Sequence, residues 1–171
     1  EQVLPVGNMS QCIFERIYFS RPTDPEIYQE RKRLGKELAP VVLSELEGGD
    51  DLKNAIVTFV PKFSEVACIG FLDQLQTTLG SRGLPRVAVD KLIVKDTKLR
   101  TFIQSDETRN FMSRHAYEYT PSLVKRGESV VVAIDDSIVR GTTLRESIIA
   151  RLDELGPKKI IFVSSAPQIR Y

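Results

Sequence analysis

Asp135 and Asp136 stand together at the end of the apolar run Val130-Val131-Val132-Ala133-Ile134, and Ser137-Ile138-Val139-Arg140-Gly141-Thr142-Thr143 follows at once. Two adjacent carboxylates repel phosphate. They suit sugar hydroxyls, or a divalent cation that takes hard oxygen ligands. The Ser, Gly and Thr residues offer the opposite chemistry, because hydroxyls and closely spaced backbone N–H groups cradle an anion, with the start of a helix behind them. A sugar phosphate satisfies both halves. The plain alternative is that the acidic pair caps a turn and the next helix, a common use of Asp. A phospho-accepting receiver domain also places an acidic pair after a strand, but near the start of its chain, and here the pair comes after residue 130. Neither G-x-G-x-x-G nor G-x-x-x-x-G-K-[ST] occurs, which argues against a dinucleotide site and a P-loop.

The elements that must position these groups follow from hydrophobic patterning. Val130 to Ile134 lacks polar alternation, as a parallel strand covered on both faces requires. Asn54 to Val60 and Val87 to Val94 read as strands, and Ile160-Ile161-Phe162-Val163 as another. Ser64 is a plausible N-cap for a helix carrying Val66, Ile69, Leu72, Leu75 and Leu79, up to Gly80. A second helix is expected from about Thr142 to Leu155, with Leu144, Ile148, Ile149, Leu152 and Leu155 on one stripe and Gly156-Pro157 as its stop. Strand, helix and strand at this spacing make an α/β fold around a mainly parallel sheet flanked by helices, and ligands of such sheets bind at the carboxyl ends of the strands. Cys12 to Phe19 is apolar and aromatic enough for a strand. Asp24-Pro25-Glu26 opens a helix with Ile27, Leu34 and Leu38 on one face, which Pro40 should kink or end. The polar stretch from Lys95 to Gly127 reads as a functional lid or binding loop.

The chain has 171 residues, 42% of them hydrophobic, with 24 Lys+Arg against 23 Asp+Glu. This suits one folded domain spanning 1–171 and excludes disorder. Balanced charge argues against a nucleic-acid partner, and no apolar stretch is long enough for a membrane span. Two cysteines make no disulfide scaffold, so a reducing, cytoplasmic setting is expected. The first residue is Glu1, which suggests a piece of something longer.

Val131 to Thr143 resembles the phosphoribosyl pyrophosphate (PRPP) signature of type I phosphoribosyltransferases. More narrowly, Asp135 to Thr143 is similar to the version found in the amidophosphoribosyltransferase family. Cys12-Ile13-Phe14-Glu15-Arg16-Ile17-Tyr18-Phe19-Ser20-Arg21-Pro22 resembles the segment by which that family enters this domain, Arg100-Thr101-Phe102-Ile103-Gln104 its flexible catalytic loop, and Ser164 to Tyr171 the stretch after the following strand. The resemblance runs in family order from residue 12 to residue 171. It implies the type I phosphoribosyltransferase fold and an enzyme of the first step of purine synthesis, which transfers ammonia to C1 of PRPP and releases pyrophosphate.

Carried over position by position, the resemblance implies that Asp135 and Asp136 hold the ribose hydroxyls. Ser137 through Thr143, with Ser137, Gly141, Thr142 and Thr143 among the contacts, would surround the 5-phosphate, while for Arg140 a phosphate contact and a structural ion pair both remain open. On the same resemblance Pro61-Lys62-Phe63-Ser64 takes the place of the pyrophosphate loop, Lys95 would contact pyrophosphate, and Arg100 would close over the bound substrate. Mg²⁺ is expected between substrate oxygens, with Asp135 and Asp136 as direct or indirect ligands. Many relatives carry an acidic residue and Thr where this chain has Lys62-Phe63, and the segment Lys95 to Leu99 also departs from the commoner pattern.

The family's glutaminase domain lies upstream and uses an N-terminal cysteine; neither Cys12 nor Cys68 is so placed, so the chain is expected to be the synthase half alone. The family further implies a homo-oligomer and purine nucleotides as inhibitors. In some relatives the cysteine at the position of Cys12 ligates an iron–sulfur cluster, but one needs four ligands and none is expected within this chain. Cys12 and Cys68 are therefore expected as core residues, His115 as a surface or packing residue, and Arg31-Lys32-Arg33 as a solvated helix face. Two other classes compete with the enzyme. A PRPP-binding regulator would usually bring a DNA-binding element, which is absent from the pattern here. A base-salvage phosphoribosyltransferase would need a segment that recognises a base, where Cys12 to Pro22 points to the amido enzyme instead.

Overall fold

The computed structural model describes residues 12–46, 50–95, 117–138, 141 and 144–167. Four strands form a parallel sheet in the order β2 (Ala88–Val89), β1 (Ala55–Phe59), β5 (Val130–Asp135), β6 (Lys159–Ser164). Ile56 lies beside Val131, and Val131 beside Ile160, so three strands run in register through the centre. Two of the connections in this sheet are helical. Helix α2 (Glu65–Ser81) connects β1 to β2, and a π-helical segment (Leu144–Ile149) running into α3 (Ala150–Glu154) connects β5 to β6.

Both faces of β5 are covered, as its unbroken apolar run requires. Val130, Val132 and Ile134 pack into one core with Val57, with Phe71, Leu75 and Leu79 of α2, and with Ala39, Val42, Leu43 and Leu46 of α1 (Pro25–Leu46). Val131 and Ala133 point the other way, onto Ile148, Leu152, Leu92 and Ile93. Helices α1 and α2 meet at two glycines. A Cβ on Gly35 would lie 1.8 Å from the Ala67 carbonyl oxygen, and one on Gly70 would lie 1.9 Å from that of Lys32. Cys68 is buried among these helices, where burial pushes its thiol up to about 12.

Five details depart from the sequence patterning. Cys12 is exposed rather than in the core. The segment after it is a helical turn, not a strand, with Glu15–Phe19 in π-helical form. Arg31 lies in no solvated face: it is buried, and its guanidinium donates to the carbonyls of Arg16 (2.9 and 3.0 Å), Ile17 (2.6 Å) and Ser20 (3.3 Å), the open end of that turn. Pro40 neither ends nor divides α1, because the residue is exposed while Ala39, Val42 and Leu43 anchor the opposite side. Val87 to Val94 is broken into two pieces. β2 extends the main sheet, and β3 (Ile93–Lys95) pairs antiparallel with β4 (Tyr117–Tyr119) in a second, two-stranded sheet. The break falls where the Asp90 N–H donates to the Val57 carbonyl (3.0 Å) and the Leu92 N–H to the Thr58 hydroxyl (3.2 Å).

Candidate functional site

Strand β1 sends its crossover toward β2 on one side, and β5 sends its crossover toward β6 on the other. The carboxyl ends of β1 and β5 therefore flank the point where strand order reverses, the place where open α/β sheets leave a crevice. A cavity of about 480 Å³ lies there. Val60, Pro61, Lys62 and Phe63 from the loop after β1 form one wall. Asp135 to Ile138, Gly141, Leu144 and Ile148 form another, and Lys95 and Tyr117 close it from the two-stranded sheet.

The loop after β5 is held by the end of β6. The Ser165 N–H donates to the Asp135 carbonyl (2.9 Å), and the Ala166 N–H to the Asp136 carbonyl (2.8 Å). With its backbone fixed in this way, the acidic pair faces the cavity. Burial, and after it the neighbouring Asp136 carboxylate, pushes Asp135 up to about 7, against the opposing effect of the Asp136 N–H that donates to it. Gly141 holds φ at 70°, and a Cβ there would meet nothing within 4 Å, so backbone conformation rather than space calls for glycine.

Lys62, Lys95, Asp135, Asp136, Ser137 and Gly141 are thus brought to one cavity. Ser64 is set apart. It sits at the N-cap position of α2 without capping it through its side chain, and the buried hydroxyl donates instead to the Val60 carbonyl. Arg100, Arg140, Thr142 and Thr143 lie outside the described residues, as does His115.

Sequence patterning did not single out Tyr18 or Tyr117 for the site, and took in Phe63 and Ile138 only as members of its two loops. The Tyr18 hydroxyl bonds to the Asp136 carboxylate and lies 2.5 Å from the Ser137 hydroxyl. Its ring stacks on Phe14 (5.7 Å between centroids) and meets Phe63 edge-on (5.1 Å). Burial and the bond to Asp136 push the Tyr18 phenol up to about 12. Tyr117 is also raised, chiefly by burial and then by the two Asp charges.

The amidophosphoribosyltransferase of Pseudomonas aeruginosa is 33% identical over 165 residues, which cover 94% of this chain and 30% of that protein. The Bacillus subtilis protein of the same name is 32% identical over 96% of this chain and 31% of its own. The chain is related to the amidophosphoribosyltransferases. A solved structure of glutamine PRPP amidotransferase from B. subtilis, complexed with ADP and GMP, superimposes with a TM-score of 0.66 at 32% identity, covering 94% of this chain and 32% of that one. A hypoxanthine phosphoribosyltransferase from Staphylococcus aureus matches at a TM-score of 0.50 and 14% identity, a likeness of fold alone that covers 91% of this chain and 71% of that one. The fold is that of the type I phosphoribosyltransferases. The chain spans just under a third of the curated amidophosphoribosyltransferases it matches, 30% and 31% of the two named here. No protein-family model matches the chain.

Proposed function

We propose that the chain is the phosphoribosyl-transferring part of an amidophosphoribosyltransferase, which converts PRPP and ammonia to 5-phosphoribosylamine and pyrophosphate. The observation that carries this reading is the cavity at the β1–β5 crevice, which joins an acidic pair to two lysines. Asp135 and Asp136 take the ribose hydroxyls, and the loop from Ser137 to Thr143, Arg140 included, takes the 5-phosphate. Lys62 and Lys95, with the backbone around Ser64, face the pyrophosphate, and Arg100 closes over the substrate.

In the reaction the nitrogen lone pair forms the new bond to C1. The C1–O bond to pyrophosphate breaks with its electron pair left on the pyrophosphate, and the nitrogen then releases a proton. The sugar passes through an oxocarbenium-like state. Charge develops on the leaving oxygens, where the ammonium groups of Lys62 and Lys95 at the cavity stabilise it. Ammonia is small and uncharged, so no side chain need act as a covalent nucleophile. Phe63, Leu144 and Ile148 give the cavity apolar walls that limit competing water.

The donor set fits Mg²⁺ shared with substrate. Asp135 and Asp136 are adjacent hard-oxygen ligands, and among the described residues no group of three His, Cys, Asp or Glu encloses a metal by itself. Mg²⁺ commonly takes one or two carboxylates and completes its shell from phosphates and water. When bound, it supplies positive charge at the pyrophosphate.

On the same reading the full enzyme is a cytoplasmic homo-oligomer. An upstream glutaminase domain delivers its ammonia, and purine nucleotides inhibit it, as the ADP and GMP bound to the B. subtilis relative suggest. No helix among the described residues is long and apolar enough to cross a membrane. The test is pyrophosphate release with PRPP, Mg²⁺ and either ammonia or glutamine. Release with ammonia alone is expected. Release from neither would favour a PRPP-binding regulator, and base-dependent nucleotide formation would favour a salvage enzyme.

A further inference from the structure

Tyr18 and Asp136 are 118 residues apart in the chain, yet their side chains are bonded. A tyrosine hydroxyl carries one proton. With that proton given to Asp136, the 2.5 Å contact with Ser137 runs the other way, and the Ser137 hydroxyl donates to Tyr18. Ser137 therefore props Tyr18, and Tyr18 holds Asp136. The ring is fixed between Phe14 and Phe63. The turn that carries it is fixed in its turn by the buried Arg31 guanidinium on the carbonyls of Arg16, Ile17 and Ser20. A tyrosine locked at ring, hydroxyl and backbone is an ordering device, not a solvent-facing side chain.

We propose that Tyr18 is a positioning residue for this cavity, holding the Asp136 carboxylate in the orientation that receives the hydroxyls of a ribose. The proposal rests on the reading of the cavity as a sugar-phosphate site. A carboxylate offers about four lone-pair positions, so the one bond from Tyr18 leaves room for two sugar hydroxyls. The contact orders the acid without blocking it. Preorganisation of this kind favours binding because the side chain does not have to be ordered by the ligand.

Tyr18→Phe tests this, since it keeps the ring and its aromatic contacts and deletes only the hydroxyl. By calorimetry in metal-free buffer, ribose 5-phosphate should bind roughly tenfold more weakly, the scale seen when a group that orients a ligating residue is lost. Affinity for inorganic pyrophosphate, which has no hydroxyls for Asp136 to hold, should not change. A merely structural role would weaken both ligands together, and that outcome overturns the proposal. So does unchanged affinity for ribose 5-phosphate. Should Tyr18→Phe fail to fold, NMR of the unmutated protein with labelled tyrosine decides. Ribose 5-phosphate, but not pyrophosphate, should shift the Tyr18 signal, and no shift overturns the proposal. Unmutated protein that binds neither ribose 5-phosphate nor PRPP would instead overturn the sugar-phosphate reading on which it rests.

Discussion

The backbone N–H of Asp136 donates to the carboxylate of Asp135 at 2.8 Å, so the first acid of the pair holds the second in place. Burial of that first acid has a consequence for stability. Asp135 is pushed from 3.8 up to about 7, by burial first and by the Asp136 charge second. Between those two values the folded protein keeps a proton that the unfolded chain has lost. Stability from this group is therefore present at low pH and is lost as pH rises toward 7, with a ceiling of roughly 4 kcal/mol. Asp135→Asn keeps an acceptor for the Asp136 N–H and removes the titration. In metal-free buffer its urea midpoint should rise relative to that of the unmutated protein between pH 4 and pH 8. A difference that stays flat over this range would mean that Asp135 titrates alike in both states.

The two helices on one side of the sheet depend on missing side chains. Gly35 faces the Ala67 carbonyl so closely that an added methyl group would sit 1.8 Å from the oxygen. Backbone cannot swing aside as a flexible side chain can, so Gly35→Ala must push α1 from α2 or bend one of them. Overpacking of this kind costs about 1–3 kcal/mol. The variant should melt at lower temperature with an unchanged denaturant slope. Gly80→Ala is the control, because a Cβ there meets nothing within 4 Å. Alanine is the better helix former, so Gly80→Ala should hold or gain stability, and a Gly35→Ala variant that did the same would mean the close approach costs nothing.

The reach of the sequence patterning can be judged at particular residues. Val130 to Ile134 is recognisable because burial on both faces leaves no polar alternation, and the acidic pair is conspicuous because it ends that run. The proposed sugar-phosphate chemistry follows from residues contiguous in the chain. Arg31 was misjudged because a basic residue on a helix usually faces water, and only the tertiary fold brings three carbonyls to its guanidinium. Tyr18 was missed for a related reason: its partners lie 118 and 119 residues away, and no local spacing records such a contact. Phe19 shows how composition misled the strand expectation, being aromatic yet 82% exposed at the end of a helical turn.

Lys62 reaches the cavity from the loop after β1 and Lys95 from the end of β3, and neither belongs to the loop that carries Ser137 and Gly141. If their task is the pyrophosphate, their loss should be felt by ligands that carry it and ignored by ligands that do not. Hydrogen bonds to charged groups contribute about 1.5–3 kcal/mol, but both lysines are exposed, so solvent screening puts each near the low end. Lys62→Ala and Lys95→Ala should each weaken PRPP binding by roughly tenfold, the equivalent of about 1.4 kcal/mol. Ribose 5-phosphate should bind as before, because its phosphate lies toward Ser137 and Gly141. The PRPP loss should shrink as salt rises, since the contacts are between exposed charges. Calorimetry with the two ligands at low and high salt measures all of this. Equal weakening of ribose 5-phosphate and PRPP would place these lysines at the sugar or its 5-phosphate and reverse the direction in which the substrate lies.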